Sequence, residues 1–153
     1  MKKYISASSG ADFSVIYEDE KGNRDSWSGG TRAWRNNNPG NIRDGEFARR
    51  VGAIGAAGGF AVFPDYETGL KALAALLRTE TYRRLTLGQA INRYAPPVEN
   101  DTGAYVGAVE KQTGIPRATI LSQLSETQIT ALAKAIEKHE GYNAGTISAC
   151  SST

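Results

Sequence analysis

A glycine-rich stretch over residues 29–63 limits what this chain can fold into more than any other feature. It holds many of the 17 glycines among the 153 residues, and glycine destabilises helices because its backbone loses the most freedom on folding. The stretch therefore predicts loops with short strands, one of them at residues 60–63. From Asp65 onward leucines recur at helical spacing, which predicts helices instead.

Four segments after Asp65 carry helix signals, and they lie at residues 66–79, 87–94, 102–113 and 125–140. Pro96-Pro97 ends the second helix, because proline cannot continue the backbone hydrogen bonding. Asp101 is a predicted cap for the third helix. Ser125 and Gln128 form a predicted capping box for the last helix, which ends at Glu140.

The N-terminal part of the chain has weaker signals. Residues 1–12 are small and polar and are predicted to be flexible. Phe13–Glu20 and Arg24–Ser28 predict a hairpin. We expect a single α+β domain, mainly helical, over residues 13–147, followed by a flexible tail at residues 148–153. Its helical lobe would pack on a small lobe of hairpin and glycine-rich loops.

Charge and composition exclude several classes of function. The formal net charge is only +2, with 18 basic and 16 acidic residues, so charge gives no reason to expect nucleic-acid binding. The single cysteine, Cys150, and the single histidine, His139, form no cluster with metal-ligand spacing. We therefore expect neither a metal nor another cofactor. No apolar run is long enough for membrane insertion and no signal peptide follows Met1, which predicts synthesis in the cytoplasm.

Carboxylates are the remaining candidates for chemistry, and Glu140 is the foremost. On a helical wheel Ile129, Leu132 and Ile136 form an apolar stripe, and Glu140 lies one turn beyond Ile136 on that stripe. Burial and the helix dipole would both raise the pKa of a carboxyl group placed there. A carboxyl group that is protonated near neutral pH is what a glycosidase needs as its general acid. The alternative is that the stripe has ended and Glu140 lies in solvent.

Three further acids are candidates for the second carboxylate of such an enzyme: Glu99, Glu18 and Glu20. Glu99 precedes the third predicted helix, where a carboxylate also stabilises the helix N-terminus. Glu18 and Glu20 lie beside the predicted hairpin turn, where exposed turn charges are the simpler interpretation.

Candidate substrate-binding side chains come from the loop between Arg35 and Arg43 and from the helical half of the chain. They are Asn37, Asn38, Asn41, Arg43, Tyr94, Asp101 and Tyr105. Asparagine amides both donate and accept hydrogen bonds, which suits sugar hydroxyl and N-acetyl groups. Asparagines also suit tight turns, an aspartate before a helix also suits a cap, and tyrosines at helical spacing also suit a core.

This chain resembles a family of phage virion-associated and type VI secretion effector domains in the run Arg35-Asn36-Asn37-Asn38-Pro39-Gly40-Asn41-Ile42-Arg43. The resemblance begins at Gly29 and continues through residues 58–64, 69–73, 94–105 and 136–142. This resemblance implies a lysozyme-like fold and an enzyme that degrades peptidoglycan, with the asparagine loop on the substrate side of the site.

Two finer resemblances nominate different acids. Residues 136–141 are similar to the helix end that carries the catalytic glutamate of phage-type lysozymes, which nominates Glu140. Tyr142-Asn143-Ala144-Gly145 is similar to a motif of lytic transglycosylases. The catalytic glutamate of those enzymes comes early in the chain, which nominates Glu18 or Glu20.

These observations predict a muramidase-type hydrolase of peptidoglycan glycan strands, with Glu140 as the general acid. The alternatives are a lytic transglycosylase on the same substrate and a non-catalytic cell-wall-binding or virion structural domain. We expect action in the periplasm or cell wall of a target bacterium, after delivery by a secretion system, a virion or lysis. An immunity protein is an expected partner if the chain is a secreted antibacterial effector.

Overall fold

The computed structural model describes residues 3–95 and 101–150 of the chain. These residues pack as two compact units. The first, which we call the sheet unit, holds the described residues up to Ala72 and those from Glu140 onward. The second, which we call the helical unit, holds the described residues of Leu73–His139. The single domain expected over residues 13–147 stays a prediction.

A mixed sheet, six-stranded over the described residues, forms the centre of the sheet unit. Its strands are β1 (Tyr4–Ser9), β2 (Ser14–Asp19), β3 (Arg24–Ser28), β4 (Gly55–Ala57), β5 (Phe60–Val62) and β6 (Thr146–Ala149). Their spatial order is β5-β4-β1-β2-β3-β6. β1 and β4 run parallel, and the other neighbouring pairs run antiparallel.

One face of this sheet is packed. Along β2 the side chains of Val15 and Tyr17 are buried and the residues that alternate with them are half-buried, as the two-residue period of a strand requires. Val15 and Tyr17 cluster with Ala57 and Val62 of β4 and β5. The ring of Tyr17 also lies against Trp27 of β3, with centroids 4.9 Å apart. The middle strands of the sheet therefore share one core.

The prediction of a mainly helical, lysozyme-like fold is wrong. A sheet with strands from both ends of the described chain replaces the small hairpin lobe. β1 lies within residues 1–12, and β6 overlaps residues 148–153, so each segment predicted to be flexible contains a strand. Both strands consist largely of small and hydroxyl side chains, so partners distant in sequence decide their pairing. The predicted hairpin is confirmed as β2 and β3, and the strand at residues 60–63 as β5.

Along the chain, the helices of the described residues all lie between β3 and β6. They are α1 (Arg32–Arg35), α2 (Glu46–Arg50), α3 (Tyr66–Leu77), α4 (Glu80–Arg83), α5 (Leu87–Tyr94), α6 (Thr102–Thr113) and α7 (Glu126–Glu140), with a 3-10 turn at Leu121–Gln123. The four predicted helices are confirmed as α3, α5, α6 and α7, with small shifts at their ends. Among residues 3–95 and 101–150, none of the helices combines the length and the apolar character that a membrane-spanning helix needs.

The helix ends follow the sequence signals. Oδ1 of Asp101 accepts a hydrogen bond from N of Ala104 at 3.1 Å, and Gly114 ends α6 in the left-handed conformation with a φ of 73°. Ser125 and Gln128 exchange the two hydrogen bonds of a capping box, at 2.9 and 3.1 Å. The predicted caps of α6 and α7 are therefore confirmed.

Candidate functional site

The asparagine loop that was predicted to bind sugar is mostly a buried structural element. The exposed fractions of Asn36 and Asn38 are 1% and 0%. The Asn38 amide donates to the carbonyl oxygens of Ile42 and Ala61 at 2.8 and 3.0 Å, and its Oδ1 accepts from N of Ile42 at 2.9 Å. The Asn36 amide donates to O of Ala61 at 3.2 Å. These side chains therefore hold the loop against β5.

Asn37 has a similar structural role. Its amide donates to O of Phe63 at 3.3 Å, and its φ of 50° is a left-handed conformation that asparagine tolerates. Gly69 of α3 packs directly against it, since a Cβ on Gly69 would lie 1.9 Å from O of Asn37. The predicted role of Asn37 and Asn38 as sugar ligands is therefore wrong. Buried amides that are hydrogen-bonded to the backbone cannot reach a polymer in solvent.

A close backbone contact, which we call the glycine clasp, ties the segment after α7 to the segment before this loop. N of Thr31 donates to O of Asn143 at 3.0 Å, and N of Asn143 donates to Oγ1 of Thr31 at 3.1 Å. Glycines make this approach possible. A Cβ on Gly30 would lie 2.4 Å from O of Asn143, and a Cβ on Gly145 would lie 2.1 Å from O of Ser28.

Arginine and phenylalanine side chains lie beside the accessible part of the loop. The guanidinium carbon of Arg32 lies 3.7 Å from the centroid of the Phe60 ring, and that of Arg43 lies 4.9 Å from the same centroid. Nε of Arg32 donates to Oδ1 of Asn41 at 3.4 Å. Arg32 and Arg43 are exposed, and Asn41 and Phe60 are half-buried. We call these four residues the arginine patch.

Glu140 acts on this patch from the end of α7. Burial has the largest effect on the pKa of Arg32 and lowers it, and the charges of Arg35 and Arg43 lower it further. The negative charge of Glu140 acts in the opposite direction and raises the pKa of Arg32. The charge of Glu140 therefore acts on Arg32, whose side chain hydrogen-bonds to Asn41 of the predicted loop.

Glu140 itself is exposed, so the buried position predicted from the helical wheel is wrong. Ile129, Leu132 and Ile136 are buried as predicted, but the buried stripe ends there, one turn before the end of the helix. Gly141 follows in the left-handed conformation with a φ of 95°.

Two tyrosines of the sheet unit contact each other, and one of them, Tyr142, lies two residues after Glu140 in the chain. The rings of Tyr66 and Tyr142 meet edge to face with centroids 5.5 Å apart, and both side chains are half-buried. Burial raises the pKa of Tyr17, and nearby Tyr142 raises it further. A half-exposed tyrosine combines an apolar ring with a polar hydroxyl group, a combination that suits the surface of a sugar.

The other predicted acids differ in their surroundings. Glu18 forms an ion pair with Arg24 on the neighbouring strand, with Oε1 and Nε 2.8 Å apart. Glu20 is exposed beside the hairpin turn, and Glu99 lies outside the described residues. Among the predicted acids in the described part of the chain, Glu140 is the one that influences the pKa of Arg32. Across residues 3–95 and 101–150, no group of three or more acidic, histidine or cysteine side chains could hold a metal ion.

The predicted substrate residues of the helical unit have different outcomes. Tyr105 is 1% exposed and its ring stacks on His139 with centroids 3.7 Å apart. Its predicted stacking on sugar is therefore wrong, and it belongs to the core. Asp101 caps α6 and also lines a cavity of about 440 Å³ together with Arg117. Tyr94 is half-buried at the end of α5, and its role stays a prediction.

Sequence reasoning did not single out Arg32 or Phe60. Thr31 begins α1 by accepting a hydrogen bond from N of Trp34 at 3.4 Å, and this short helix carries Arg32 to the patch. Phe60 meets Arg43 through an isolated antiparallel bridge between residues that are far apart in sequence. The sequence offered two signals, an aromatic residue in a glycine-rich stretch and a cluster of basic residues from Arg32 to Arg50, and neither reveals that pairing.

Among known proteins, a phage protein is similar to this chain. No protein-family model matches the sequence. Protein P5 of Pseudoalteromonas phage PM2 is 34% identical to this chain over 122 residues, which cover 73% of this chain and 72% of that protein. Identity at this level over most of both chains indicates common ancestry.

Proposed function

The chain belongs to the family of protein P5 of Pseudoalteromonas phage PM2, and from this premise we propose a phage-type enzyme that cleaves the glycan strands of peptidoglycan. One observation carries the proposal: two hydrogen bonds between Thr31 and Asn143 bring the segment just after Glu140 beside Arg32, and the charge of Glu140 raises the pKa of Arg32. The helical wheel nominated the acid and a separate motif nominated the loop. Their proximity in the sheet unit is what an acid facing its substrate-binding side chains requires.

A carboxyl group is sufficient for the central step of glycoside cleavage, which needs no cofactor. In the proposed reaction Glu140 donates its proton to the oxygen that leaves as the glycosidic C–O bond breaks. Water then supplies the hydroxyl group at the anomeric carbon, and its proton returns to the carboxylate. A sugar chain lying over the exposed Glu140 would displace water from it, and desolvation favours the protonated form that a general acid needs.

The arginine patch would hold the substrate. Muramyl units of peptidoglycan and their peptides carry carboxyl groups and amides, and guanidinium groups are suited to oxyanions and carbonyl oxygens. Phe60 holds the guanidinium groups of Arg32 and Arg43 by cation–π contacts, which leaves their edges accessible. Tyr66 and Tyr142 add half-exposed aromatic rings.

A lytic transglycosylase on the same strands is the second candidate. It is favoured because Glu140 is the one predicted acid in the described part of the chain that influences Arg32. In that reaction a hydroxyl group of the substrate's own muramyl unit attacks the anomeric carbon in place of water. The product is an anhydro sugar, one water lighter than the hydrolysis product, so mass spectrometry of the released fragments separates the two reactions.

A non-catalytic cell-wall-binding or virion structural domain is the third candidate. It is favoured by the exposure of Glu140, Arg32 and Arg43, since such side chains bind a polymer without chemistry. This candidate predicts that the chain sediments with insoluble peptidoglycan and releases no soluble fragment.

The test compares release of reducing ends from purified peptidoglycan by the wild type and by Glu140→Gln. Glutamine keeps the size of the side chain but has no carboxyl proton to donate, so the rate should fall by about 10²–10⁴. Glu67→Gln is the matched control, because Glu67 is another exposed glutamate of the sheet unit. It should keep the wild-type rate. Full activity of Glu140→Gln would rule out the assigned acid.

The proposed substrate also suggests where the chain acts. Peptidoglycan is reached in the periplasm or cell wall of a target bacterium, through a virion, lysis or a secretion system. Delivery by a secretion system would call for an immunity protein in the producing cell. Such a partner should block the release of reducing ends when mixed with the chain.

A further inference from the structure

The turn between β1 and β2 presents a large aromatic side chain to solvent. Phe13 is 81% exposed, and the φ angles of Asp12 and Phe13 are 41° and 52°. A left-handed backbone is unfavourable for a bulky residue, and tight hairpin turns prefer asparagine or glycine at such positions. Strain of this kind is concentrated at binding sites, which makes Phe13 a candidate for a role in recognition.

Arg35 holds the Phe13 ring in this position. Nη1 of Arg35 donates to the carbonyl oxygens of Gly29 and Gly30 at 3.0 Å each, which fixes the guanidinium group. Its guanidinium carbon lies 5.7 Å from the centroid of the Phe13 ring, within the range of a cation–π contact. N of Gly29 also donates to O of Phe13 at 3.3 Å. The ring is therefore supported from the glycine clasp while most of its surface stays accessible.

This pair continues the arginine patch. Arg32 and Arg35 lie three residues apart on α1, and residues at that spacing lie on the same side of a helix. Arg32 contacts the ring of Phe60, as Arg35 contacts the ring of Phe13. One short helix thus supports two aromatic–arginine pairs. A repeated arrangement of this kind suits an extended polymer, which makes similar contacts through successive units.

We propose that Phe13 and Arg35 form a second sugar-binding subsite, which takes a pyranose ring of the glycan strand away from the bond that Glu140 cleaves. The inference rests on the proposed function and deepens it. The apolar C–H face of a pyranose packs on the face of an aromatic ring, where the π-electrons carry partial negative charge. The guanidinium donors of Arg35 that do not bind Gly29 and Gly30 then reach hydroxyl or carboxylate oxygens of the same unit.

The decisive variant is Phe13→Asn, because asparagine suits a φ of 52° better than phenylalanine does. Its Tm should equal that of the wild type or exceed it by up to about 3 °C. Isothermal titration with peptide-free glycan strands should give a Kd about tenfold weaker, in keeping with the loss of one stacking contact. On long strands KM should rise by about the same factor while kcat changes less than about twofold.

Two control variants isolate the ring. Phe13→Tyr keeps an aromatic face and should bind glycan strands as the wild type does. Ile5→Thr removes another exposed apolar side chain of the sheet unit, 50% exposed on β1, and should leave both Kd and KM unchanged. A weakening by Ile5→Thr equal to that by Phe13→Asn would overturn a specific subsite.

The remaining outcomes separate the subsite from the proposed function. Equal Kd values for Phe13→Asn and a wild type that binds and cleaves the strands would overturn the subsite alone. A Tm of Phe13→Asn several degrees below the wild type would also overturn it, because Phe13 would then be structural. A wild type that neither binds nor cleaves glycan strands would refute the proposed function and the subsite with it.

Discussion

Replacement of Asn38 by alanine tests the finding that the asparagine loop is a structural element. Asn38 is fully buried and makes three hydrogen bonds with the backbone of Ile42 and Ala61. After the replacement both carbonyl groups keep another donor. O of Ile42 keeps N of Ala61 at 2.9 Å, and O of Ala61 keeps the Asn36 amide at 3.2 Å. N of Ile42, in contrast, loses Oδ1 of Asn38 as its acceptor.

The magnitude follows from these partners. A buried donor left without an acceptor costs about 1–3 kcal/mol, and each of the other two lost hydrogen bonds contributes about 1 kcal/mol net. We therefore expect Asn38→Ala to lower the free energy of unfolding by about 3–5 kcal/mol. Asn36→Ala removes longer hydrogen bonds, of 3.2 and 3.4 Å, and should cost about 1–2 kcal/mol. Asn41→Gly should cost less than about 0.5 kcal/mol, because a φ of 48° suits glycine.

Urea denaturation followed by circular dichroism measures these differences. With an m-value of about 2 kcal/mol/M, Asn38→Ala should unfold at a urea concentration lower by about 2 M. The expected order of destabilisation is Asn38, then Asn36, then Asn41. A loss below about 1 kcal/mol for Asn38→Ala would refute the structural role of this amide and return the loop to the list of sugar-binding candidates.

Gly145→Ala should lower the free energy of unfolding by about 2 kcal/mol or more, because its Cβ would lie 2.1 Å from O of Ser28. Gly107→Ala in α6 should raise the free energy of unfolding by up to about 1 kcal/mol, because a Cβ on Gly107 would have no atom within 4 Å. Urea denaturation curves that show equal effects of the two substitutions would contradict the glycine clasp. Burial and a hydrogen bond to Asp25 raise the pKa of Tyr4 to about 12, against about 10 for an unfolded tyrosine. The pKa difference of Tyr4 therefore contributes about 1 kcal/mol to the stability of the fold after solvent screening. This contribution is fully present below about pH 10 and is lost as the pH rises through about 12. Between those pH values Tm should fall less in Tyr4→Phe than in the wild type, and parallel curves would contradict this.

The position of Glu140 shows a limit of predicting burial from helix periodicity. The wheel placed Ile129, Leu132 and Ile136 correctly in the core, because these residues share one side of α7. A helical wheel does not show where the surface that packs against the helix ends. The predicted buried stripe therefore extended one turn too far, to the exposed Glu140. The nomination of Glu140 as a candidate acid now depends on its proximity to Arg32 and not on burial.

The asparagine loop shows a different limit. Its residue types suited both sugar binding and turn chemistry, and the sequence left those alternatives open. Burial decided between them for Asn37 and Asn38. Their amides hydrogen-bond to the backbone of Phe63 and Ala61, residues that no local pattern connects to the loop. We propose instead that Arg32 and its neighbours in the arginine patch hold the substrate.

The sequence by itself determined the four longest helices and the caps of α6 and α7, because the interactions that start and end a helix join residues within four positions of each other. Asp101 at the start of α6 and the Ser125–Gln128 capping box are of this kind. The tertiary structure alone decided that β1 and β6 join one sheet, that Gly30 and Gly145 allow the clasp, and that the charge of Glu140 acts on Arg32. These contacts join segments distant in the chain, and packing and backbone pairing select them only once the whole core has formed.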